Sequence, residues 1–238
     1  QPMHAFDFSC VEGGHIIVRT AREGETIQTL DGNERKLTPN MLCICDEHKP
    51  VCVAGVMGGD RSSINDETTD LFIESAFWFP KAIQGRCRKL NFSTDAAYRY
   101  ERGVDYASTA EHLEYITQLV LDICGTPETK VGPVEDVVAN LPERAPVKMR
   151  VDRCCKVVGV DIPLESMEES FKRLGFEYTL ENGVFTVVPP SFRFDIEIEE
   201  DLIEEVARLW GYEKLPDRPP LARIAMKPSR EERRSAHA

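Results

Sequence analysis

The chain has 238 residues, 42% of them apolar, and 29 Lys and Arg against 41 Asp and Glu give a net charge near −12. That length and apolar fraction suit one large or two ordinary soluble domains, and the acidic balance argues against broad electrostatic binding of nucleic acid while leaving room for a local basic site. No apolar run reaches the about 18 residues of a membrane helix, Gln1-Pro2-Met3-His4 is neither basic nor apolar enough for a leader, and eight cysteines without a CxxC pair fit a reducing cytoplasm better than a disulfide framework.

The first eighty residues read as strands: 15–20, 26–30, a turn at Asp31-Gly32, 35–37, 42–45, 51–54 and 71–75. Cys43, Cys45, His48 and Cys52 do not match the usual zinc spacings, and the cysteines read better as small core residues of two strands around a turn at 46–50. Pro80 opens a helical stretch through Lys89, and Asp105 can cap a longer helix whose Ala110, Leu113, Thr117, Val120 and Cys124 share a face before Gly125 ends it. Pro142 and Pro146 mark a linker over 139–146. A strand at 147–151, a helix at 164–174 stopped by Gly175 and a strand at 184–188 then suggest a second α+β unit, with an extended exit from Pro216 onward. The chain also lacks an initial Met and opens inside a tight motif, which reads as a segment of a longer protein.

Between Asp195 and Glu205 stand seven carboxylates in eleven residues with no base among them. Phe194, Ile196 and Ile198 alternate with Asp195, Glu197 and Glu199 like a strand, after which Leu202, Ile203, Val206 and Leu209 recur at helical spacing. Four oxygen ligands would converge for a hard cation if the strand fed the helix, but acids at a helix start are also favoured by its dipole and commonly form a solvated face.

Three other segments carry chemistry. Ala54-Gly55-Val56-Met57-Gly58-Gly59-Asp60 follows a strand, matches no phosphate loop and is either a strained turn or a loop that lets backbone N–H groups approach a ligand. Glu74 sits among apolar neighbours, where it either meets a hydrogen-bond partner or points to solvent by alternation. From Lys81 to Arg102 the charge reverses, with Lys81, Arg86, Arg88, Lys89, Arg99 and Arg102 facing only Asp95 and Glu101. Phe77, Trp78, Phe79, Phe92, Tyr98 and Tyr100 are interleaved with those bases, as stacking on single-stranded RNA requires and as a core equally well explains.

Five motifs in order, Gln1-Pro2-Met3-His4-Ala5-Phe6-Asp7, Ala54 to Gly59, Glu74-Ser75-Ala76, Thr94-Asp95-Ala96 with Tyr98 to Asp105, and Pro189 to Ile196, closely resemble the β subunits of bacterial phenylalanyl-tRNA synthetases. The resemblance implies an α+β chain: a mainly β editing domain with packed helices over 1–139, its amino-terminal part missing, then a small helix-and-strand, winged-helix-like domain over 146–215 and an exit segment over 216–238. It further implies post-transfer editing, the hydrolysis of Tyr-tRNA(Phe) within a cytoplasmic α2β2 enzyme whose α subunit holds ATP and joins phenylalanine to tRNA(Phe). Glu74 would accept the tyrosine hydroxyl, Gly55 would supply a backbone donor, His4 would lie near the adenosine and ester, and Thr94 and Ala96 would line the pocket while a bound water attacks. Mg2+, shared with the α subunit, would fall to Asp195, Asp201, Glu204 and Glu205. A non-catalytic scaffold or RNA-docking module is the alternative.

Overall fold

The computed structural model describes residues 1–217; the expected exit segment lies almost wholly outside them. The architecture is α+β, with every strand pair antiparallel and two separate hydrophobic cores.

The first core is built by β1 (Met3–Asp7), β2 (Ile17–Thr20), β3 (Thr26–Gln28), β4 (Glu34–Lys36), β5 (Leu42–Cys45), β6 (Pro50–Val53), β7 (Met57–Gly58) and β8 (Leu71–Ser75). Four of them form a sheet in the order β2-β5-β6-β7, while β3-β4 and β1-β8 are separate pairs. Cys43, Cys45 and Cys52 lie buried in β5 and β6, as their alternation with Ile44, Val51 and Val53 suggested, whereas His48 sits with its side chain 63% exposed. One face of the β1-β8 pair meets the core through Phe6. Helix α4 (Thr109–Cys124) packs against β8, where Ser75 Oγ donates to the Thr109 carbonyl at 2.8 Å.

Several expectations need correction. The single helix expected from Pro80 is two, α1 (Pro80–Ile83) and α2 (Arg86–Leu90), because Gly85 turns left-handed between them; α3 (Asp95–Tyr100) follows. Helix α4 begins only at Thr109, since Asp105 spends its carboxylate on the Ala107 N–H of the preceding turn. Of its expected face, Leu113, Thr117 and Val120 are half-buried, whereas Ala110 and Cys124 are exposed. The linker is longer than its prolines suggested, because residues 125–146 form neither helix nor strand. Strands β1 and β7 went unread because β1 mixes polar and apolar residues and β7 has two residues.

The second core belongs to β9 (Val147–Arg150), α5 (Val151–Val158), α6 (Leu164–Arg173), β10 (Glu177–Glu181), β11 (Val184–Val188) and α7 (Glu199–Trp210). Its sheet runs β10-β11-β9, and Met149, Phe185 and Leu202 are fully buried between sheet and helices. The sequence had shown neither α5 nor β10. No strand forms over 194–199: the chain turns there, so Ile196 is buried in the second core while Ile198 is exposed. Phe194 leaves for the first unit. Its ring stacks on Phe77 at 5.9 Å between centroids, meets Tyr106 edge-on and covers Gly103.

Candidate functional site

Strand pairing decides where Glu74 points. His4 of β1 lies directly opposite Glu74 of β8, and Phe6 directly opposite Phe72, so these four side chains share one face. Phe6 is wholly buried, hence that face is the inner one and the Glu74 carboxylate is turned toward the core, not outward.

The loop after β6 closes over this face. Gly55 has φ +64, a conformation that costs a side-chain-bearing residue about 1 kcal/mol, and a Cβ there would lie 2.8 Å from Trp78 Cδ1 and 3.1 Å from Tyr100 Cδ2. Gly58 lies against the His4 imidazole so closely that any side chain would overlap the ring. Thr94 caps α3, its Oγ1 accepting from the Ala97 N–H at 3.1 Å and donating to the Val56 carbonyl at 2.9 Å, which ties the loop to the helix. Ala96, half-buried, packs beside it on the same core. Tyr100 completes the frame: its hydroxyl donates to the Pro2 carbonyl at 2.8 Å and lies 3.3 Å from the Ala76 carbonyl, joining the start of β1 to the end of β8. His4, Gly55, Glu74, Thr94 and Ala96 thus sit on elements that meet at one loop, although Thr94 holds structure with its hydroxyl instead of lending it to a ligand.

The electrostatics follow from burial. Desolvation pushes the Glu74 carboxyl up to about 7, and no hydrogen bond from the described residues reaches it. Burial lowers His4, keeping the imidazole neutral, and its Nε2 is buried without a partner among the described residues. The Trp78 Nε1 is likewise buried and unpartnered among the described residues. Burial, and then the charge of Glu74, raises Tyr100; burial holds the Cys52 thiol well above its ordinary range, so it is no thiolate nucleophile. Unspent hydrogen-bonding capacity in an otherwise packed interior is what a polar ligand or bound water satisfies. Sequence offers Trp78 and Tyr100 as stacking or core aromatics and Gly58 as part of the glycine loop, but places none of the three beside Glu74; the structure puts them there.

The acidic cluster does not gather as a metal centre. Arg193 holds Asp195 with two bonds, at 2.9 and 2.6 Å, and also reaches Glu205 Oε1 at 2.8 Å, while Arg208 pairs with the other Glu205 oxygen. Asp201 accepts from the N–H groups of Glu197 and Ile198 at 2.8 and 2.9 Å, capping α7, and Glu204 is exposed. The bond with Arg193 lowers Asp195; burial alone would raise Glu205, but Arg193 and Arg208 outweigh it. Among the described residues no group of three or more His, Cys, Asp or Glu is placed to hold a metal ion. As arranged, then, Asp195, Asp201, Glu204 and Glu205 do not fit Mg2+: a guanidinium stands between two of them and the backbone occupies a third. The missing countercharge lay outside the acidic window, in Arg193 and Arg208 and, for Glu199 and Glu200, in Arg150 and Arg153 nearly fifty residues earlier.

The fold and site define a B3/4 domain, whose family model matches residues 1–125, followed by a tRNA synthetase B5 domain, matched over residues 147–212. The phenylalanine--tRNA ligase beta subunit of Burkholderia lata is 52% identical over 100% of this chain, and that of Bordetella pertussis 48%. The chain belongs to the phenylalanine--tRNA ligase beta subunit family, and it spans 29% of the length of these relatives. A crystal structure of an N-terminal fragment of the phenylalanyl-tRNA synthetase beta-subunit from Pyrococcus horikoshii aligns with a TM-score of 0.44 at 15% identity, covering 88% of this chain and 60% of that one.

Proposed function

We infer that the recess between β1, β8 and the glycine loop hydrolyses the ester of Tyr-tRNA(Phe), as part of an enzyme that joins phenylalanine to tRNA(Phe) with its α subunit and ATP. The observation that carries this is Glu74, a half-buried carboxylate on the inner face of the β1-β8 pair with no hydrogen-bond partner among the described residues. Such a group is costly unless a donor reaches it, and a phenolic hydroxyl is a donor that tyrosine has and phenylalanine lacks. A site built around that contact discriminates far better than an apolar pocket, which weighs one hydroxyl weakly.

The roles of the other residues follow. Gly55 and Gly58 let the loop close on Trp78, Tyr100 and the His4 ring, Ala96 keeps the side chain beside them small, and neutral His4 offers its unpartnered Nε2 to the ester end. No side chain need attack; a water held in the recess would cleave the ester, and the protein's part is placement. The test is deacylation of Tyr-tRNA(Phe) by the complete αβ enzyme carrying Glu74→Ala. Phenylalanine charging should be unchanged while Tyr-tRNA(Phe) accumulates; clearance at the wild-type rate would remove Glu74 as the selector.

A further inference from the structure

The six bases between Lys81 and Arg102 have no role in the recess. Elsewhere among the described residues Arg19, Arg35, Arg61, Arg150, Arg153, Arg193 and Arg208 are drawn into ion pairs, while Arg22, Arg144 and Arg173 are not. Among the described residues, Lys81, Arg86, Arg88, Lys89, Arg99 and Arg102 join none, in a chain whose net charge is near −12. All but Arg86 are exposed. The two acids nearby do not neutralise them: Glu101 accepts from the Gly85 N–H at 3.2 Å, which pins the α1–α2 junction to the end of α3, and Asp95 lies in the first turn of α3, at the opposite end from Arg99.

At the end of α3 this surface becomes concave. A groove of about 260 Å³ is lined by Gln1, Tyr98, Arg99, Arg102, Asp105 and His112. The Arg102 guanidinium lies 3.6 Å from the Tyr98 ring centroid, and the ring is 59% exposed. Gln1 and His112 brace each other, Gln1 Oε1 lying 3.0 Å from His112 Nδ1, and Asp105 accepts from the Ala107 N–H at 3.0 Å. Pro2 also lines the groove and precedes His4 by two residues, about 7 Å along the strand. Cationic forks beside an exposed aromatic face are the chemistry that holds phosphates and stacks a base.

We propose that this groove, continued by the basic surface of α1 and α2, binds the phosphodiester backbone of a single-stranded RNA 3′ end and stacks one of its bases on Tyr98. Resting on the editing function inferred above, it would lead the strand to the recess along the start of β1. The test is fluorescence anisotropy of the 238-residue chain with a short single-stranded RNA bearing no ester, titrated at several salt concentrations. Since that RNA carries no amino acid, the result stands whether or not Glu74 selects a hydroxyl.

Arg99→Ala with Arg102→Ala should weaken binding about tenfold or more and reduce the slope of log affinity against log salt by about 1.4, two single-strand phosphate contacts. Tyr98→Ala should weaken it at least about fivefold with the slope kept. All three side chains are exposed, and circular dichroism verifies that the variants fold. Equal affinity and slope for variants and wild type would overturn the proposal. So would competition by polyglutamate at the same charge concentration as RNA, since the surface would then suit an acidic protein.

Discussion

Replacing Glu74 by Gln keeps the shape of the recess and removes its charge. In the folded chain burial carries this carboxyl from an ordinary 4.5 to about 7, and the groups facing it are His4 from β1, Tyr100 from α3 and Cys52 from β6. None is a cation when His4 is neutral, so ionised Glu74 is uncompensated, at a cost of about 3 kcal/mol relative to the unfolded chain. A carboxyl raised on folding keeps its proton in the folded state between the two values. Its favourable contribution is therefore present at low pH and lost as pH rises through about 7. Urea unfolding of wild type and Glu74→Gln from pH about 4 to about 8 should show the wild type losing about 3 kcal/mol against the variant across that window, then levelling. Hydrolysis of the tyrosine ester, divided by the variant's rate, should rise over the same range, because the ionised acid is the better acceptor. A stability difference that does not change with pH would show that Glu74 is solvated in the folded chain.

Ala96→Trp should leave the chain folded but fill the recess and abolish tyrosine-ester hydrolysis; unchanged deacylation would place the pocket elsewhere. Gly55→Ala should cost about 2 to 4 kcal/mol in urea unfolding, combining the positive φ with the overlap on Trp78, and a loss within error would mean the loop relaxes freely. Arg193→Ala should destabilise the second domain by about 2 kcal/mol by stripping Asp195 and part of Glu205 of their partner. Millimolar Mg2+ should not raise the melting temperature of the wild-type chain; a rise of several degrees would show the acids regrouping around a cation.

What the sequence determined by itself was whatever repeats locally. Residues 42–45 and 184–188 alternate or run apolar between turn residues, and those strands lie within the bounds read for them; the helix at 164–174 ends at its glycine, and the five ordered motifs placed the family. Tertiary structure alone decided the rest, because hydrogen-bond and charge partners have no period. Glu74 faces inward because β1, itself unreadable as a strand, pairs with β8 and lays His4 opposite it; alternation in a strand with both faces covered cannot choose a side. The acids of 195–205 look cation-seeking when read in order, yet their arginines arrive from Arg150, Arg153, Arg193 and Arg208, and the turn at 194–199 exists because Asp201 reaches back to cap its own helix. Local spacing sets which residues share a face; only the folded chain sets what that face meets.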